Sequence, residues 1–219
     1  MAQFNKGSNN SLCLRDWTHL GIFGSAGTGK TYFACKYAKE CCPRFIFVNP
    51  LLKSKIRRVC NSHVSDVGGM AEALYRGKNR IDFLCAEHPE TAQAQVKEIK
   101  QLLFNIGNKM NAEDKWWITL LVDEADIIFP KFGKSDSGLL RRGHHYGVHV
   151  VLISQCPQLI DPSAVNQFSH QIFFRLGAYS QPYYTEYSIP IEEHLTHLKK
   201  PHHYVLWDSF DMKEFSPVK

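Results

Sequence analysis

The chain has 219 residues, 26 Lys+Arg against 21 Asp+Glu, a net charge of +5 and 44% hydrophobic residues. That length holds one well-filled α/β domain and is too short for two nucleotide-binding domains with a linker. No run of about 18 apolar residues occurs, which excludes a transmembrane helix, and so small a basic excess says little alone about a polyanionic partner.

Residues 1–17 read as a loose arm, polar and without the apolar stretch of a signal peptide, with Trp17 as an anchor. Residues 18–219 read as a single domain. His19-Leu20-Gly21-Ile22-Phe23 is a short buried strand. Gly24-Ser25-Ala26-Gly27-Thr28-Gly29-Lys30-Thr31 follows and fits G-x-x-x-x-G-K-[ST] at every fixed position. A helix over 32–42 comes next, with Phe33, Tyr37 and Cys41 on one stripe widened by Ala34 and Ala38, and Pro43 ends it. Strand, glycine loop and helix together give the motif its chemistry. Glycines let backbone N–H groups turn inward around a phosphate, and the helix N-terminus points at the same anion. Lys30 then reaches the β- and γ-phosphates, and the Thr31 hydroxyl binds Mg²⁺.

Residues 44–48 form a second buried strand, closed by Asn49-Pro50. The stretch 51–80 is less regular. It holds Lys53, Lys55, Arg57 and Arg58, then Gly68-Gly69 and a short helix near 70–75. The basic cluster is either a sequence-independent contact for DNA phosphates or a solvated surface. Residues 81–85 are a third strand. Pro89 opens a long helix whose Ala92, Val96, Ile99, Leu103 and Ile106 share a face, and Gly107 suits the position just past its end. Residues 118–122 are a fourth strand, 139–146 a helical stretch, and 148–154 a fifth strand. Asp161 caps a short helix over 162–168, 171–176 is a sixth strand, 191–198 a short helix and 204–207 the last strand. Strands alternating with helices predict a three-layer α/β/α domain around a mostly parallel sheet.

Seven cysteines are scattered without a C-x-x-C pair, which reads as thiols in a reducing compartment rather than a disulfide framework. His144, His145 and His149, and the pair His194 and His197, lack a cysteine or carboxylate in sequence that would complete a metal set. Tyr179, Tyr183, Tyr184 and Tyr187 read either as a stack for bases or, the favoured reading, as packing for a loop or subunit interface.

The second strong signal is Leu120-Leu121-Val122-Asp123-Glu124. An apolar strand delivers two carboxylates at its carboxyl end, where open α/β sheets bind ligands. Asp123 is the metal-side group, and Glu124 the base that polarises an attacking water. Gln155 directly follows the fifth strand, placed to sense a γ-phosphate. Asp123-Glu124-Ala125-Asp126 spells the box of the DEAD helicases, but those enzymes need a second domain that this length cannot supply. No N-K-x-D guanine reader follows, which argues against a GTPase.

The phosphate loop, Asp123-Glu124-Ala125, the stretch from Arg141 to His149, and Ser154-Gln155-Cys156-Pro157 together resemble the FtsK–HerA superfamily of DNA-pumping ATPases. Order and length are most similar to the genome-packaging ATPases of internal-membrane, double-jelly-roll viruses. The resemblance implies a RecA-like P-loop NTPase domain, with ATP and Mg²⁺ as cofactors. It also implies a homo-oligomeric ring, pentameric or hexameric, that pumps DNA through its pore into a preformed capsid. Partners would be non-sequence-specific, double-stranded DNA and capsid vertex or portal proteins, in the host cytoplasm and at the packaging vertex of the virion. Two departures concern the arginine that a ring neighbour supplies in trans. His144 stands where relatives carry arginine before Gly147, and Cys156 follows Gln155 where arginine is frequent. Arg141, Arg142 and Arg175 are the candidates. The rival readings are a filamentous-phage-type DNA export or assembly ATPase, and a nucleotide-binding switch that does not translocate DNA.

Overall fold

Alternate side chains along the central strands enter two separate apolar layers. In the computed structural model, which describes residues 19–51, 53–110, 117–132 and 137–217, Phe45, Phe47, Leu121, Val151 and Ile153 pack on one face. Ile46, Val48, Leu120, Val122, Val150 and Leu152 pack on the other. Strands covered on both faces need apolar residues at almost every position, which explains the near-continuous apolar runs in the sequence.

The chain runs β1 (His19–Phe23), α1 (Lys30–Cys41), β2 (Phe45–Val48), α2 (Ser54–Arg57), β3 (Ser62–Val64), α3 (Val67–Tyr75), β4 (Arg80–Phe83) and α4 (Pro89–Met110). It continues through β5 (Ile118–Val122), α5 (Ala125–Ile128), α6 (Gly138–Arg142), β6 (Val148–Ser154), α7 (Pro162–Val165), β7 (His170–Phe173), α8 (Gln181–Glu186), α9 (Leu195–Leu198), β8 (Tyr204–Trp207) and β9 (Met212–Phe215). These strands form one nine-stranded sheet in the order β3-β4-β2-β5-β6-β1-β7-β8-β9. Every neighbouring pair from β3 to β7 is parallel; β8 is antiparallel to both β7 and β9, so it alone among these strands is reversed. Helices α1 and α2 cover one face, and α3, α4, α5 and α6 the other, giving the expected three layers. The phosphate-loop strand β1 does not touch the Asp123–Glu124 strand β5, because β6 lies between them.

Several expectations are corrected. Gly107 does not end α4, which continues to Met110. A Cβ at Gly107 would collide with the backbone carbonyl of Tyr146, so the glycine is there for close approach, not termination. Ile106 is accordingly half-buried, while Phe104 faces the core and stacks on Tyr146 at 4.2 Å. Strand β3 was not expected, because Ser62-His63-Val64 is short, polar and at a sheet edge. Nor was Tyr204–Trp207 the last strand. A turn in which Asp208 Oδ1 accepts the Phe210 and Asp211 N–H groups reverses the chain into β9. Cys35, Cys42, Cys60, Cys85 and Cys156 are free thiols, but Cys41 is disulfide-bonded, contrary to the thiol reading. The arm 1–17 and its Trp17 anchor lie outside the described residues. Asp161 caps α7 as expected, accepting the Ser163 N–H at 2.8 Å.

Tyr183 and Tyr184 are buried in the core, as the packing reading requires, while Tyr179 is exposed. The carboxylate missing beside His194 and His197 in sequence comes from β9. Glu214 lies 2.8 Å from His194 Nδ1 and 3.1 Å from His197 Nδ1, tying the 192–198 segment to the terminal hairpin. Among the described residues no group of three or more such side chains is arranged to hold a metal.

Candidate nucleotide site

Phosphate-loop geometry starts with the end of β1. The Gly24 N–H donates to Ser154 O at 3.3 Å and the Ser25 N–H to Arg175 O at 2.8 Å, so the loop leaves the sheet tied to the ends of β6 and β7. Gly29 then opens α1 at φ 107°, a conformation that L side chains rarely adopt. No side chain caps the helix and its first turn holds no acid, leaving its positive end for an anion. Inside the loop, Ser25 O accepts from Thr28 Oγ1 at 2.8 Å and from Lys30 Nζ at 2.9 Å. Burial lowers Lys30 to about 8, against the opposing pull of the Glu124 and Asp123 charges.

Asp123 and Glu124 stand at the carboxyl end of β5, 2% and 8% exposed. Glu124 is held at φ 50° and ψ 51°, left-handed backbone that costs about 1–3 kcal/mol in a non-glycine residue and is concentrated at functional sites. Gln155, delivered by β6 between the two motif strands, donates its side-chain amide to Glu124 Oε1 at 3.5 Å. Asp126 faces elsewhere and accepts the Ser154 hydroxyl at 2.5 Å. Burial raises both Asp123 and Asp126 above the ordinary carboxylate range, opposed by Lys53 and by Ser154 respectively.

Lys53 is the residue whose role sequence reasoning missed. It stood in the basic cluster as a DNA contact or surface charge. Its ammonium instead lies 2.7 Å from Asp123 Oδ2 and 3.0 Å from Glu124 Oε1. Burial alone would lower its pKa, but the two carboxylates outweigh burial and raise it. Its backbone N–H donates to Asn49 Oδ1 at 3.0 Å, and Asn49 Nδ2 donates to the buried Asp82 at 3.1 Å. A signal existed: Asn49-Pro50 ends β2, the strand beside β5, so residues just past it must approach Asp123. His202, at φ 59°, was also missed and has no sequence signal; its Nδ1 lies 3.1 Å from Thr28 O.

A cavity of about 760 Å³ joins these parts, lined by Gly29, Lys30, Thr31, Glu124, Gln155 and His202 among others. That volume suits a nucleotide-sized ligand. The Lys53 ammonium marks a place where a cation is stable, and the Asp123 and Glu124 oxygens around it are hard donors of the kind Mg²⁺ takes, with Thr31 lining the same cavity as Glu124.

The three arginines are separated. Arg141 and Arg142 are exposed at the end of α6, beside the amino ends of β1 and β6 and away from the phosphate loop. Arg142 lies over the Phe104 ring at 5.9 Å. Arg175 is exposed at the carboxyl end of the sheet, its own carbonyl holding the Ser25 N–H. Among the described residues the side chains bonded to Glu124 are Lys53 and Gln155, not any of these arginines.

No protein-family model matches the chain, and no curated protein does. Solved structures do. The genome packaging NTPase B204 from Sulfolobus turreted icosahedral virus 2, in complex with ATP-gammaS, is 17% identical, with a TM-score of 0.69 over 92% of this chain and 98% of that one. B204, the DNA-packaging ATPase from Sulfolobus turreted icosahedral virus, is 20% identical, with a TM-score of 0.67 over 92% and 98%. VirB4 of Thermoanaerobacter pseudethanolicus is 10% identical, with a TM-score of 0.56 over 92% and 89%. The fold is therefore that of these proteins, a mostly parallel P-loop α/β domain.

Proposed function

We propose that the chain is an ATPase that translocates DNA, acting as the motor that packages a viral genome into a preformed capsid. The observation that carries the hydrolytic part is the convergence of Lys30, Glu124 and Gln155 on one cavity, with Glu124 in left-handed backbone and joined to Asp123 through Lys53. In this reading Lys30 and the loop N–H groups bind the β- and γ-phosphates. Glu124 orients and deprotonates water, and Gln155 reports whether the γ-phosphate is present. Mg²⁺, held by Thr31 and Asp123, would supply charge neutralisation on the phosphates. Likeness to two packaging ATPases over nearly their whole length supports the translocase part.

A ring with one arginine supplied by a neighbour completes the scheme, and Arg141 and Arg142 suit that role, since their own phosphate loop lies at the other end of the sheet. Among the described residues no helix is long and apolar enough to cross a membrane.

The test is ATP turnover with and without double-stranded DNA. The wild type should hydrolyse ATP, faster with DNA, and Lys30→Ala should not. Turnover indifferent to DNA would favour the nucleotide switch; wild-type turnover in folded Lys30→Ala would remove the ATPase reading altogether.

A further inference from the structure

Both carboxylates that the proposed hydrolysis needs are already engaged in the structure, and by the same group. Lys53 Nζ sits 2.7 Å from Asp123 Oδ2 and 3.0 Å from Glu124 Oε1. A divalent ion on Asp123 would bring further positive charge against that ammonium, and a water poised on Glu124 would compete for the oxygen it holds. We propose that Lys53 is a resting-state latch, an internal cation that occupies the divalent-ion position and masks Glu124 until metal and nucleotide displace it. This rests on the assignment of Asp123 and Glu124 as the cation and base pair of an ATPase.

The anchoring of Lys53 suits a part that swings. Its backbone is fixed, with the N–H on Asn49 Oδ1 at 3.0 Å and Asn49 in turn on Asp82 at 3.1 Å. Its side chain is 27% exposed and lines the nucleotide cavity with Thr31 and Gln155. The four-carbon stem can therefore carry the ammonium away while α2 stays in place. Buried acids need a counter-charge before any metal arrives, since an uncompensated buried charge is strongly destabilising; an ammonium on a flexible stem supplies one reversibly.

Mn²⁺ binding, followed by the loss of its free-ion paramagnetic resonance signal, tests the latch without requiring turnover. Nucleotide-free Lys53→Met should bind Mn²⁺ about tenfold or more tightly than wild type, because no ammonium has to be displaced. Lys53→Arg, which keeps the charge, should bind it no more tightly than wild type. In Mg²⁺ titrations of turnover at saturating ATP, Lys53→Met should reach half-maximal rate at lower Mg²⁺. If Lys53→Met fails to fold, Lys53→Gln takes its place in both assays. Mn²⁺ affinity within twofold of wild type, or an equal gain in Lys53→Arg, would overturn the latch. Wild-type protein that takes up no Mn²⁺ even with ATP-gammaS would instead overturn the assignment of the site, so the two failures are distinguishable.

Discussion

Gln155 reaches Glu124 Oε1 at 3.5 Å from a strand that separates the two motif strands. The contact is at the long end of hydrogen-bond range, so a γ-phosphate or a water can take the amide at small cost. Gln155→Ala should bind ATP-gammaS and ADP with affinities close to each other, whereas the wild type should distinguish them, and its turnover should fall about tenfold or more. Calorimetric titration of both nucleotides into the two proteins checks this; an unchanged preference for ATP-gammaS would remove Gln155 from phosphate sensing.

Glu124 offers two separable effects. Glu124→Gln keeps shape and removes the base, so it should retain ATP while turnover drops about 10²- to 10⁴-fold. Glu124→Gly should also be inactive yet be about 1 kcal/mol more stable than Glu124→Ala, which loses the same side-chain contacts, since glycine relieves the φ of 50°. Turnover and urea midpoints measured on the same preparations test both. Asp126 is not a substitute base, because it is committed to the Ser154 hydroxyl. A loss smaller than threefold in Glu124→Gln would therefore leave the site without a carboxylate base.

Gly107→Ala sets helix propensity against packing. Alanine favours an exposed helix interior by about 1 kcal/mol over glycine. Here the added methyl meets the Tyr146 backbone, and overpacking of this kind costs about 1–3 kcal/mol or more. A net destabilisation is expected in chemical denaturation; a stabilised variant would mean that α4 and the 143–146 turn can separate freely.

His19 predicts an acid limit. Its Nε2 lies 2.6 Å from Leu140 O and its Nδ1 accepts the Val150 N–H at 3.1 Å, an arrangement that requires the neutral ring. Burial lowers its pKa to about 4, helped by the charges of His149 and His144 facing it. The unfolded chain then binds more protons between about 6.5 and 4, so stability is complete above that window and falls as pH drops through it, by roughly 3 kcal/mol. Urea unfolding at several pH values should show this slope in the wild type and a shallower one in His19→Gln. Equal slopes would assign the acid sensitivity to other groups.

The ring predicts complementation. Alanine at Arg141, Arg142 or Arg175 should, in at least one case, leave ATP binding intact and slow turnover, a trans arginine being worth about 10³- to 10⁵-fold. Mixing that variant with Glu124→Gln should recover activity, because some interfaces then pair an intact base with an intact arginine. Activity independent of protein concentration, with normal rates in all three variants, would rule out the trans arrangement.

Local sequence determined the parts whose chemistry depends on neighbours along the chain. The glycine loop and its helix, the apolar strand delivering Asp123 and Glu124, Gln155 at a strand end and the Asp161 cap were each legible, because spacing within one turn or one pleat fixes which groups meet. Tertiary structure decided what depends on approach between distant segments. Gly107 reads as a helix end until Tyr146 is packed on it. Lys53 reads as surface charge until β2 and β5 lie side by side, and Glu214 joins His194 and His197 only once β9 has folded back. Strand order, with β6 inserted between β1 and β5, is likewise unwritten in any single stretch. Contacts across many residues arise from closing long loops onto a common core, and the energy of that core is shared by many side chains rather than encoded in a local pattern.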